Sequence, residues 1–77
     1  MSELDRIRWH CRRGMLELDL VLTRFLDRDF GALSEAQQEA FKAVLEYPDN
    51  DLWDLVCGRM TLQPGDMAAV VERLRKA

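Results

Sequence analysis

Apolar residues recur along this chain at intervals of three and four, the spacing of one helix face, and nowhere alternate singly as a half-buried strand requires. Gly, Pro and an Asp-Asn pair cut the pattern into five short segments. The first predicted helix, Ser2 to about Arg13, sets Leu4, Ile7 and Cys11 on one stripe, with Ser2 as N-cap and Gly14 just past its end. Arg6, Arg8, Arg12 and Arg13 take its other faces. The second, Met15 to about Arg28, carries Met15, Leu18, Val21, Leu22, Phe25 and Leu26, joined by Leu16 and Leu20 on a neighbouring face. Being apolar over most of its circumference, it is expected at the centre of the fold.

Asp29 to Leu33 is a short link, after which Ser34 and Gln37 form an S-x-x-Q capping box that opens a third helix with the stripe Ala40, Phe41, Val44 and Leu45. Pro48 stops it. Asp49 is expected to cap a fourth helix, with Leu52, Trp53, Val56 and Cys57 on its apolar side before Gly58. Beyond Gln63, Pro64 and Gly65, Asp66 is expected to cap the last, with Met67, Val70, Val71 and Leu74 inward. Arg73, Arg75 and Lys76 lie near its negative end. The pattern predicts an all-α fold, a small bundle of five short helices forming a single helical domain over residues 1–77. Repeats and low-complexity tracts are absent from the sequence.

Composition limits what such a bundle can do. With 77 residues the core is thin, which favours a binding surface over a deep substrate pocket. Eleven basic against 14 acidic side chains leave a net charge of −3, so whole-molecule electrostatics disfavours nucleic acid and anionic membrane as partners. The longest apolar run, Met67 to Val71, is far too short to insert in a membrane, and no leader-like apolar stretch opens the chain. Cys11 and Cys57 make no disulfide framework and no C-x-x-C pair, which fits a reducing, cytoplasmic setting.

Catalytic constellations are missing from the sequence. The one histidine, His10, adjoins Cys11, but helix neighbours point about 100° apart and cannot easily converge on a metal or act as thiolate and base. The ordinary reading is a surface histidine beside a small core cysteine, and Cys57 is read as a core residue too. Most carboxylates, including Asp27, Asp49, Asp51 and Asp54, are explained by solvation and dipole complementarity.

The exception is Arg12-Arg13-Gly14-Met15-Leu16-Glu17-Leu18-Asp19, where Glu17 and Asp19 interrupt the most apolar helix beside a glycine and two arginines. Gly14 either breaks the chain between two helices or lets another backbone approach closely. The first 14 residues hold four arginines against Glu3 and Asp5, a local positive surplus that can orient a partner. The plainer account is a helix C-cap with arginines paired to Glu17, Asp19 and their neighbours. Trp9 lies off the inward stripe, at the core's edge or partly exposed beside the arginines. Tryptophan and arginine are enriched at interface hot spots. Trp53, among apolar neighbours, is assigned to the core.

The stretch Arg6-Ile7-Arg8-Trp9-His10-Cys11-Arg12-Arg13-Gly14-Met15-Leu16-Glu17-Leu18-Asp19 resembles the small SdhE/YgfY proteins, bacterial relatives of the mitochondrial succinate dehydrogenase assembly factor 2. The family's R-G-x-x-E usually stands inside R-I-x-W-x-C-R-R-G-M-x-E-L-D. The similarity runs on through Phe25, Leu33-Ser34, Phe41, Leu45-Glu46, Asp49 and Asp51-Leu52 to the last helix. It departs at Asp51-Leu52-Trp53-Asp54-Leu55-Val56, where members often read D-L-F-x-W-L, so an aromatic has moved within a core helix.

The resemblance implies a helical chaperone-like assembly factor, not an enzyme, that binds the flavoprotein subunit of succinate dehydrogenase or fumarate reductase and promotes covalent attachment of FAD to a histidine of that client. FAD would be the client's cofactor, with none held by this chain. Carried over by position, Arg13, Gly14 and Glu17 are the R-G-x-x-E residues, with Arg6, Trp9, Met15 and Asp19 as supporting partner contacts. A generic interaction module, such as an antitoxin-like partner, is the alternative. A helical DNA-binding regulator is disfavoured by the acidic charge balance, and an independent enzyme by the missing constellation.

Overall fold

Two of the helices, the first and the third, start where a local capping box satisfies their free amides. In the computed structural model, which describes residues 2–76, the Ser2 hydroxyl accepts the Asp5 amide at 3.1 Å while the Asp5 carboxylate accepts the Ser2 amide, a capping box that opens α1, Glu3–His10. The Ser34 hydroxyl accepts the Gln37 amide in the same way and opens α3, Glu35–Val44, as its sequence signature predicts. Between them run α2, Leu16–Arg28, and a 3-10 turn, Phe30–Ala32. Two further helices follow, α4 over Asp49–Cys57 and α5 over Asp66–Lys76. Among the described residues no strand occurs.

Several boundaries differ from the sequence pattern. The first helix stops at His10, not Arg13, because Asp19 takes the amides of Arg13 and Gly14 and holds the chain out of helical register. Asp49 and Asp66 are the first helical residues of α4 and α5, not their caps, and Pro48 is the N-cap of α4. Gly58 ends α4 at φ +86°, the left-handed conformation that glycine adopts without strain.

The core is one cluster. Leu18, Leu22, Phe25 and Leu26 of α2 meet Ala40, Phe41 and Val44 of α3, Leu52 and Leu55 of α4, and Val70, Val71 and Leu74 of α5. The Phe25 and Phe41 rings lie 5.1 Å apart and Phe30 and Phe41 5.7 Å, tilted pairs worth about 0.5–1.5 kcal/mol each beyond their burial. A radius of gyration of 11.3 Å, against about 11.5 Å for a compact chain of this size, places the helices around that cluster.

The expectation of a central second helix needs correction. α5 packs along α3 and also touches α4 and α2, whereas α2 buries one face and leaves Leu16 73% and Leu20 53% exposed. Its wide apolar circumference therefore exceeds what the bundle covers. Leu4, placed on the inward stripe by periodicity, is exposed, and Cys57 likewise lies at the surface. Trp53 packs partly buried against the core.

α1 is attached by few groups. Ile7 and the C-cap residue Cys11 enter the core, Arg8 pairs with Asp27 at 2.7 Å, and Glu3 pairs with Lys42 of α3. An eight-residue helix is unstable alone, so these contacts and the linker after it hold it in place.

Candidate functional site

The linker from Cys11 to Met15 is shaped by two carboxylates from different helices. Asp19, in the first turn of α2, reaches back to accept the Arg13 amide at 2.6 Å and the Gly14 amide at 3.2 Å. The Arg13 side chain turns the other way, into the corner between α3 and α4. Its Nε donates to Asp49 Oδ1 at 2.7 Å, Nη1 to the Leu45 carbonyl at 2.7 Å and the His10 carbonyl at 3.3 Å, and Nη2 to the Tyr47 carbonyl. A cation at the carbonyl end of α3 is favoured by the helix dipole as well.

Gly14 sits at φ +83°. A Cβ built there meets nothing within 4 Å, so the glycine is needed for its conformation and leaves an open surface in front of the backbone. The plainer reading of a helix C-cap gives way to a chain break between two helices: Cys11 is the C-cap, and Gly14 lies in the linker.

The structure divides the seven predicted site residues. Arg13 and Asp19 face inward and fix the loop, and Met15 packs half-buried against the core. Gly14, Glu17, Arg6 and Trp9 are exposed, the tryptophan at 67%. The carboxylate that Arg13 engages is Asp49, and Asp27 takes Arg8. These are two acids that local reading assigned to solvation, and no sequence signal marks a partner 36 residues away. Leu16 and Leu20 were assigned to the helix's apolar girdle. One turn apart on α2, they form an exposed pair, and with Leu4 and Trp9 they make up the large exposed apolar side chains among the described residues, all within the first 20 positions.

Inside this segment Cys11 is fully buried, and burial pushes its thiol up to about 11. At pH 8 the thiolate fraction is then roughly 200-fold below that of a free cysteine near 8.5. Native protein should therefore consume one equivalent of a thiol reagent promptly, through exposed Cys57, and the second only in denaturant. Equal rates for both thiols in the native state would contradict the packing around Cys11. Because the folded state holds this proton more tightly, the associated stability is complete below the unfolded value and is lost as pH rises through about 11.

No group of three or more metal-ligating side chains gathers among the described residues, and no helix there is long and apolar enough to cross a membrane. A groove of about 450 Å³ between α1 and α3 is floored by Leu4, Ile7 and Phe30 and rimmed by Glu3, Glu35, Glu39 and Lys42, the lysine paired with Glu3 and Glu39.

Comparison with known proteins places this chain in a family. The family model described as "Flavinator of succinate dehydrogenase" matches residues 5–77, a span that includes the whole Arg13–Glu17 motif. Among curated proteins, the FAD assembly factor SdhE of Coxiella burnetii is 37% identical over 92% of this chain and 87% of its own. Its namesake in Vibrio cholerae is 44% identical over 90% and 80%, and that of Haemophilus ducreyi 40% identical over 97% and 94%. No solved structure is a significant match. The chain belongs to the family of flavinators of succinate dehydrogenase.

Proposed function

We propose that this protein is a non-catalytic assembly factor, a single helical domain acting in the cytoplasm. On this reading it binds the flavoprotein subunit of succinate dehydrogenase, or of fumarate reductase, and promotes covalent attachment of FAD to a histidine of that client. The observation that carries the reading is the family match over residues 5–77 with R-G-x-x-E at a solvent-open glycine.

Covalent flavinylation needs the flavin and a client histidine held in reactive geometry. A small protein that binds that client conformation more tightly than others raises its population, by no more than its differential affinity. Gly14 presents bare backbone for close approach. Trp9, Leu16 and Leu20 supply apolar anchors, and Arg6 and Glu17 supply exposed charges of opposite sign for client side chains. Arg13, Asp19 and Met15 lie behind that surface and shape it. On this reading FAD is the client's cofactor, and this chain holds none.

Incubation of an apo flavoprotein subunit with FAD, followed by in-gel flavin fluorescence after denaturation, tests the proposal. Added protein should increase covalent flavin, and Trp9→Ala or Glu17→Ala should each slow the assisted reaction about tenfold, the loss of about 1.4 kcal/mol of client binding. Both variants should melt within about 2 °C of the parent, since both side chains are exposed. Failure to assist a client that responds to its own factor would refute the assignment.

A further inference from the structure

We infer that Asp49 is a positioning residue for the R-G-x-x-E loop, acting through Arg13. The functional half of this inference rests on the assembly-factor reading above.

Four of the five guanidinium N–H groups of Arg13 are engaged inside the protein, and its side chain is only 15% exposed. Little of it remains to meet a client. Its backbone amide is fixed by Asp19 on α2, and its side chain by the α3–α4 corner, so the residue spans two parts of the bundle like a strut. Gly14 follows directly, and its amide shares the same Asp19 carboxylate. Within the five-residue motif, then, the arginine works inward and the glutamate outward.

Among the partners of the guanidinium Asp49 alone is charged. The carbonyls of His10, Leu45 and Tyr47 hold one end of the planar group, while the carboxylate fixes its Nε edge and hence the plane's orientation. Neutralising Asp49 leaves the carbonyl contacts and the fold but frees that edge, and the loosened strut lets Gly14 leave its fixed position. A second carboxylate in the same first turn, Asp51, has no bond to Arg13 and provides the control for the loss of a helix-dipole charge.

Asp49→Asn, Asp49→Glu and Asp51→Asn should be compared in the full chain, well below their melting temperatures. In 1H–15N spectra, Asp49→Asn should shift or broaden the Arg13 Nε–H and the Arg13 and Gly14 amides, and Asp51→Asn should leave them in place. Assisted flavinylation should fall about tenfold in Asp49→Asn, stay at the parent level in Asp51→Asn, and recover in part in Asp49→Glu. Unchanged Gly14 amides in Asp49→Asn, or equal loss of assistance in both asparagine variants, would overturn the inference. A parent protein that assists no client would defeat the functional reading alone, and the amide comparison would still decide whether Asp49 positions the loop.

Discussion

Arg13→Ala should lower the melting temperature by about 12 to 24 °C, a shift that thermal unfolding followed by circular dichroism reads directly. The substitution removes a side chain that donates to the Leu45 and Tyr47 carbonyls and to Asp49 from a nearly enclosed site. Breaking a buried charged network from one side costs about 3–5 kcal/mol when the partners stay dry. Asp49 is 41% exposed and can rehydrate, so the lower end, about 3 kcal/mol, applies here. In a domain of this size each kcal/mol moves the midpoint by about 4–8 °C. Arg13→Lys keeps the charge but not the fork, and should recover less than half of the loss. The exposed arginines bound the comparison, because Arg12→Ala and Arg6→Ala should each stay within about 0.5 kcal/mol of the parent. A melting temperature within 3 °C of the parent for Arg13→Ala would mean that the clamp does not form in solution.

The same arginine marks where sequence reading reaches its limit. The starts of α1 and α3 were legible because a capping box is local: Ser34 and Gln37 are three residues apart, and their two hydrogen bonds need no other part of the chain. Faces were legible too, for Leu18, Leu22 and Phe25, or Val70, Val71 and Leu74, lie inward as their spacing requires. Periodicity orders side chains around a helix but does not say how much of the circumference a neighbour covers. Leu4 and Cys57, read as inward, lie at the surface for that reason, as do Leu16 and Leu20 on the uncovered side of α2. The motif residues were visible, but their directions were not. Arg13 reaches Asp49 across 36 residues, and a tertiary pairing of that kind leaves no trace in the local pattern of either helix. Arg75 repeats the device at the other end of α4, donating to the Leu55 and Met60 carbonyls, where sequence alone suggested a helix-dipole partner for α5. Long basic side chains tie helix ends together across this small core, and their partners emerge only with the fold.

Gly14→Ala should reduce assisted flavinylation by up to about 100-fold while Gly58→Ala leaves it at the parent level. These two glycines are matched: their φ values are +83° and +86°, and at neither does an added Cβ meet anything within 4 Å. An L-residue in that conformation costs about 1–2 kcal/mol, so both variants should melt lower by a similar amount, about 4–16 °C. Strain is therefore common to the pair. Location separates them, since α4 places Gly58 about 13 Å from the Asp49 end that holds the motif loop. At Gly14 the methyl enters the open space where a client's surface is proposed to approach. Overpacking a close contact by one methyl costs about 1–3 kcal/mol, and the upper end corresponds to about a 100-fold loss. The assay is covalent flavin on the apo flavoprotein subunit, run below both midpoints, with client affinity measured in parallel. Equal loss in the two variants would assign the effect to weakened folding. Full activity in both would remove Gly14 from the docking surface and leave Trp9, Leu16 and Leu20 on α1 and α2 as its remaining anchors.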